Sequence, residues 1–161
     1  MDTCIWRRIR ADPELVFELA AAVADWPRIL PHYRWVRVLA RREQAVLVEM
    51  AARRQVLGGL SIPLWWRAIA APDPASRRIR FEHVAGATRG MQVEWRLVPF
   101  DDGRGGVEVS IRHIFRPRWP APDWLIRAVV GDYFVNGVAR RTLRCMAEHA
   151  ERRAAHARKR A

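Results

Sequence analysis

The spacing of hydrophobic and polar residues changes period along this chain, and the changes mark out its elements. Thr3 to Arg10 has the makings of a short opening strand. Asp12-Pro13-Glu14 then supplies an N-cap, a proline at the first helical position and an acid in the first turn. Leu15, Val16, Leu19, Ala20 and Val23 follow at steps of three and four, so one stripe of this helix is buried. Asp25-Trp26-Pro27 ends it, and Arg28 to His32, closed by Pro31, predicts one more short helical turn.

From Trp35 the period becomes two, and six strand-length segments follow. They run Trp35 to Ala40, Ala45 to Arg53, Ile62 to Ala71, Arg77 to Val84, Met91 to Pro99 and Gly106 to Arg116. Turn chemistry separates them at Arg42-Glu43, Gly58-Gly59, Pro72 to Ala75, Gly86 to Gly90 and Asp101-Asp102-Gly103. After the stiff connector Trp119-Pro120-Ala121-Pro122, Asp123 opens a long helical stretch to about Ala157, with a kink expected at Gly131. Phe134, Val135, Val138, Ala139, Thr142, Cys145 and Met146 share its apolar face. The last ten residues carry five positive charges and no acid, which predicts fraying into a basic tail.

One strand, two short helices, an antiparallel meander and a long terminal helix make an α+β order. A curved sheet of about seven strands can wrap that final helix. The 161 residues suit one domain, read as residues 1–151 with 152–161 as the tail. The longest plainly apolar run, Leu19 to Ala24, falls far short of the ~20 residues of a spanning helix. Met1-Asp2-Thr3 lacks the basic start of a secretory signal, and a cytoplasmic protein is expected. Cys4 and Cys145 stand far apart and read as two buried free thiols rather than a disulfide or a metal pair.

Charge is the unusual bulk property. Twenty-nine basic residues against 17 acidic ones give a net +12, a field that favours anionic partners without choosing among nucleic acid, acidic lipid and acidic proteins. Lys159 is the sole lysine, so the arginine excess fits a genomic preference for arginine codons as well as selection for phosphate contacts, which weakens the inference to nucleic acid.

Strand alternation selects the residues able to carry chemistry. Val107, Val109, Ile111, His113 and Phe115 share the inward face of the last strand, Met91, Val93, Trp95 and Leu97 that of the strand before, and Ile79, Phe81 and His83 that of the one before that. With hairpins centred near Thr88 and Gly103, His83 and His113 lie level with Val93, about 10 Å apart across two strand spacings. They either contact opposite sides of one ligand or each satisfies itself in the core. A hairpin centred near Pro74 aligns Arg67 with Phe81 and turns Trp65, Arg67 and Ile69 inward, whereas a one-residue slip turns Arg67 outward. An inward arginine needs an acid or an anionic ligand. Phosphate-loop, zinc-protease, nucleophile-elbow and EF-hand spacings are missing, and neither a metal nor a cofactor is expected.

The order and spacing of several short motifs resemble the helix-grip fold of the START / Bet v 1-like superfamily, particularly its polyketide cyclase/dehydrase and coenzyme-Q-binding branch. These are Ala11-Asp12-Pro13-Glu14-Leu15-Val16-Phe17, Asp25-Trp26-Pro27, Leu30-Pro31-His32-Tyr33, Phe81-Glu82-His83-Val84-Ala85-Gly86, Gly90-Met91-Gln92-Val93-Glu94-Trp95 and Gly131-Asp132-Tyr133-Phe134 leading to Ala139-Arg140-Arg141-Thr142-Leu143. The resemblance implies a cavity between sheet and terminal helix that holds a hydrophobic small molecule: a polyketide, an aromatic or an isoprenoid. Trp26, Tyr33 and Arg67 look like counterparts of a pocket-lining Trp, Tyr and strand Arg in the aromatase/cyclase members, although Trp26 also suits a plug at a helix end.

The candidate catalytic set is therefore Arg67, Tyr33, His83 and His113. Trp26, Trp65, Phe81, Met91, Val93, Trp95, Ile111, Phe134 and Val138 form the candidate ligand wall. If the activity matches the cyclases, Arg67 holds an enolate or carbonyl oxygen while Tyr33 or a histidine moves protons. The alternative is a non-catalytic quinone or lipid carrier whose basic tail, with Trp119 and Trp124, meets an anionic membrane surface. A ribosome or RNA partner ranks third, because no aromatic stacking platform is predicted beside the basic positions.

Overall fold

The computed structural model describes residues 1–55, 61–86, 88–115 and 137–159. Asp12 caps α1 (Pro13–Ala21) by accepting from the amides of Glu14 and Leu15. A 3₁₀ turn (Val23–Asp25) follows, then α2 (Trp26–Ile29), so α1 stops at Ala21 and Trp26-Pro27 open the next short helix instead of ending the first. The strands are β1 (Asp2–Ile9), β2 (Tyr33–Arg42), β3 (Ala45–Gln55), β4 (Ser61–Asp73), β5 (Arg78–Gly86), β6 (Met91–Phe100) and β7 (Gly106–Phe115). All neighbours are antiparallel in the order β1-β7-β6-β5-β4-β3-β2. The meander thus runs unbroken from β2 to β7, and β1 closes against β7. This curved sheet wraps the terminal helix α3 (Arg140–Arg158).

Residues 137–139 form a wider, π-type turn that leads into α3. Thr142, Leu143, Met146, Ala147 and Ala150 are the buried face of the helix, which packs on β1, α1 and α2. Glu151 accepts a 3.0 Å bond from the Arg10 amide and ties the far end of α3 to the end of β1. The helix stays regular through Arg158, so Arg152 to Arg158 of the stretch expected to fray are instead its last two turns. Its periodicity continues there: Ala154 packs against the core while the arginines beside it face water. Neither thiol is fully buried. Cys4 is exposed on the outer side of the edge strand β1, and Cys145 is half-buried on the flank of α3. The Gly58-Gly59 turn, the proline connector with Trp119 and Trp124, the helix start at Asp123, the kink at Gly131 and Phe134 lie outside the described residues.

Register decides which residues face α3. The β6–β7 hairpin pairs Val93 with His113, as its spacing predicts. In β5–β6 it is Phe81 that pairs with Val93, so His83 lies one rung off that row. The shift is two residues and keeps the same face inward. In β4–β5 Ala70, not Arg67, pairs with Phe81. Asp73 makes the difference: its carboxylate binds the Ser76 amide and hydroxyl, and Arg77 takes a left-handed conformation at φ 49°. The hairpin therefore turns through residues 74–77. An offset of three residues is odd, so every side chain of β4 reverses its face. Leu64, Trp66, Ala68 and Ala70 are buried inside, and Trp65, Arg67 and Ile69 lie outside.

Candidate functional site

Inward side chains of six strands meet α2 and the start of α3 around one interior space. Its walls are Trp26 from α2, Tyr33 from β2, Met50 from β3, Trp66 from β4, Phe81 and His83 from β5, Val93 and Trp95 from β6, Ile111 and His113 from β7, and Val138, Ala139 and Thr142. The aromatic rings are in contact. Trp26 meets Tyr33 edge-on at 5.2 Å and lies 5.8 and 5.7 Å from Phe81 and Trp95, while Trp66 stacks on His83 at 5.9 Å. The space left between them is about 30 Å³, room for one water and not for an organic ring. The roomy hollow expected from sequence is thus contracted, because five aromatic side chains from separate elements fall on one centre.

Both strand histidines point into this wall, and each is held neutral. Burial lowers the His83 pKa to about 3, helped by the nearby His113, and lowers that of His113 to about 4. His83 Nδ1 is 2.6 Å from the Thr88 hydroxyl, and Thr88 is itself buried in the β5–β6 turn. Gly86 permits that inward fold. It has φ +88°, and a Cβ there would lie 2.3 Å from the Trp65 carbonyl oxygen.

A second polar cluster joins β2 to α3. The Thr142 hydroxyl donates to the Val138 carbonyl at 3.0 Å and lies 2.8 Å from His32 Nε2. A hydroxyl has one proton to give, so His32 donates through Nε2–H. The Tyr33 hydroxyl also bonds Thr142. Burial, reinforced by the charges of Arg141 and Arg144, lowers the His32 pKa to about 4. Burial likewise pushes the Tyr33 phenol well above its ordinary value, which makes it a hydrogen-bond donor rather than a proton acceptor. The indole Nε1 of Trp26 is buried with no hydrogen-bond partner among the described residues.

Of the residues proposed from sequence, the structure therefore brings together Trp26, Tyr33, Phe81, His83, Val93, Trp95, Ile111, His113 and Val138. Met91 is buried on the same face of β6 but is not part of this wall. Arg67 and Trp65 stand on the opposite face of the sheet, where Arg67 binds Glu49 and lies over the Trp65 ring. Sequence reasoning passed over Met50, Trp66, Thr88, Thr142 and His32. Trp66 follows from the correct register, but the contact of His32 with Thr142 spans 110 residues and has no local signature.

The seven-stranded grip on one long helix defines the class of protein, and comparison places the chain within it. Residues 9–140 match the family described as "Polyketide cyclase / dehydrase and lipid transport", and the chain belongs to that family. Over 109 residues it is 32% identical to the granaticin polyketide synthase bifunctional cyclase/dehydratase of Streptomyces violaceoruber. That stretch is 66% of this chain, and the chain spans about a third (32%) of that relative. Among solved structures, TTHA0849 from Thermus thermophilus superposes with a TM-score of 0.75 at 20% identity, covering 93% of this chain and 97% of its own. The Zhui aromatase/cyclase from Streptomyces sp. R1128 does so with a TM-score of 0.71 at 22% identity, covering 95% and 94%. At such identities the superpositions establish the fold.

Proposed function

We propose that the chain admits a polyketide-derived or similar aromatic hydrophobic molecule between the sheet and α3 and promotes its cyclisation or dehydration. The observation that carries this reading is the pair of neutral imidazoles, His83 and His113, set in an otherwise aromatic and aliphatic wall. A neutral imidazole can take the α-proton of a β-hydroxy carbonyl compound. The proton then passes to the departing hydroxyl, which leaves as water. The second imidazole and the Trp26 indole N–H, which has no partner among the described residues, are donors suited to the carbonyl oxygen as charge builds on it. Arg67 has no part in this step, because its guanidinium lies across the sheet from the reacting space.

The contracted interior sets a condition on entry. Ligand pockets commonly enclose about 300–1,000 Å³, so admission requires the Trp26–Tyr33–Trp66 contacts to separate. The His32 and Tyr33 bonds to Thr142 span the seam that has to open.

The experiment is a spectroscopic assay of the purified chain with a synthetic aromatic β-hydroxy ketone, beside calorimetric titration with the dehydrated product. Wild type should bind the product and turn over the ketone, and His83→Gln with His113→Gln should lower turnover by about 10²–10⁴-fold while binding persists. Binding without turnover in wild type would favour the carrier reading, with a quinone as the next ligand to titrate. Neither binding nor turnover would overturn the proposal.

A further inference from the structure

We propose that the outer face of β2, β3 and β4 docks on an anionic lipid bilayer. This inference stands apart from the interior site. The registers align Trp35, Ala51 and Trp65 in one row, Arg37, Glu49 and Arg67 in the next, and Ala40, Leu47 and Ile69 in a third. Leu39 is the extra residue of the bulge between Val38 and Ala40. Three of the five large apolar side chains that stand exposed among the described residues fall here: Leu39 (44%), Trp65 (39%) and Ile69 (37%).

The charge on this face is mainly positive. Arg34, Arg37, Arg42, Arg53 and Arg67 are exposed, and the acids nearby are Glu49, already bonded to Arg67 at 2.8 Å, Glu43 at the β2–β3 turn, and Glu82, which pairs with Ile69 at the β5 border of the patch. Arg37 lies 4.6 Å over the Trp35 ring and Arg67 5.5 Å over that of Trp65. Half-exposed apolar groups among arginines whose stems lie along them and whose heads reach outward match the boundary between acyl chains and phosphates.

Two other occupants fit less well. A second copy of the chain would bring the same arginines face to face. Single-stranded nucleic acid needs open aromatic faces on which to stack bases, and here guanidinium groups already occupy them. Helix α3 is basic too, but Glu148 and Glu151 interrupt its charge, and its surface carries no exposed large apolar residue.

Sedimentation of the full chain with phosphatidylglycerol-containing and with pure phosphatidylcholine vesicles tests this. Wild type should bind the anionic vesicles alone. Arg37→Gln with Arg42→Gln should weaken that binding by about thirtyfold, as for two arginines at a bilayer surface. Leu39→Ser should weaken it severalfold, whereas the charge-matched control Arg152→Gln with Arg153→Gln should change it by less than about threefold. An equal or larger loss in the control would assign recruitment to α3 and overturn the proposal. Failure of wild type to bind, insensitivity to Leu39→Ser, or displacement from vesicles by a short single-stranded RNA would overturn it as well.

Discussion

Arg67 Nε donates a 2.8 Å hydrogen bond to Glu49 Oε2 across the β3–β4 pairing, on the side of the sheet turned away from α3. The carboxylate is largely covered while the guanidinium remains close to half exposed. This arrangement gives a buried acid its cation. It also removes from the interior the one strand arginine that the family resemblance places there.

Arg67→Ala should therefore leave ligand binding in the interior unchanged and cost about 1 kcal/mol of stability, the scale of a partly solvated ion pair. Urea denaturation together with calorimetric titration separates the two effects. A large loss of ligand affinity with unchanged stability would return Arg67 to the site.

Thr142→Val should be more damaging than its size suggests. It removes the acceptor for His32 Nε2–H and for the Tyr33 hydroxyl, leaving both donors buried, at about 1–3 kcal/mol for each group left unsatisfied. Thr142→Ser keeps the hydroxyl and should recover much of the loss. Thermal melts of the two variants check this, and equal melting temperatures would show that the hydroxyl carries no weight.

Acid should destabilise the fold well before its carboxylates titrate. His32, His83 and His113 have folded pKa values of about 4, 3 and 4 against an ordinary 6.5. Below that ordinary value the unfolded chain binds protons that the folded chain refuses. Their contribution is thus complete above about pH 6.5 and is lost as pH falls toward 4. Several kcal/mol should disappear between about pH 7 and pH 5. Denaturant midpoints measured across that interval give the test. A flat profile would mean that these imidazoles charge as readily inside as out.

Gly86→Ala should cost about 3 kcal/mol, because backbone strain at φ +88° adds to a collision with the Trp65 carbonyl. At Gly103, φ is +86° but a Cβ would meet nothing within 4 Å, so Gly103→Ala should cost about 1 kcal/mol. Matching losses, read from chemical denaturation, would remove the argument that Gly86 lets Thr88 fold inward to His83.

Much of this architecture is legible before any coordinates. Asp12-Pro13-Glu14 begins α1, and each strand of the meander falls within a few residues of its expected bounds, because caps, turns and alternation act over short stretches of chain. His83 and His113 face inward as alternation requires, and a two-residue difference in the β5–β6 register leaves that assignment intact. Arg67 and Trp65 face the other way from the expectation because a face depends on whether the offset is odd or even. Here the Asp73–Ser76 contact and the left-handed Arg77 set an offset that composition does not reveal.

The amino-acid order by itself determined the element types, their succession, the excess of positive charge and the inward set of β5 to β7, since each depends on neighbours within a few residues. Tertiary structure alone decided the outward turn of Arg67, the contraction of the interior around Trp26, Tyr33, Trp66 and Trp95, and the meeting of His32 with Thr142. Those outcomes arise when surfaces from distant parts of the chain compete for the same volume and the same hydrogen bonds, which no local pattern records.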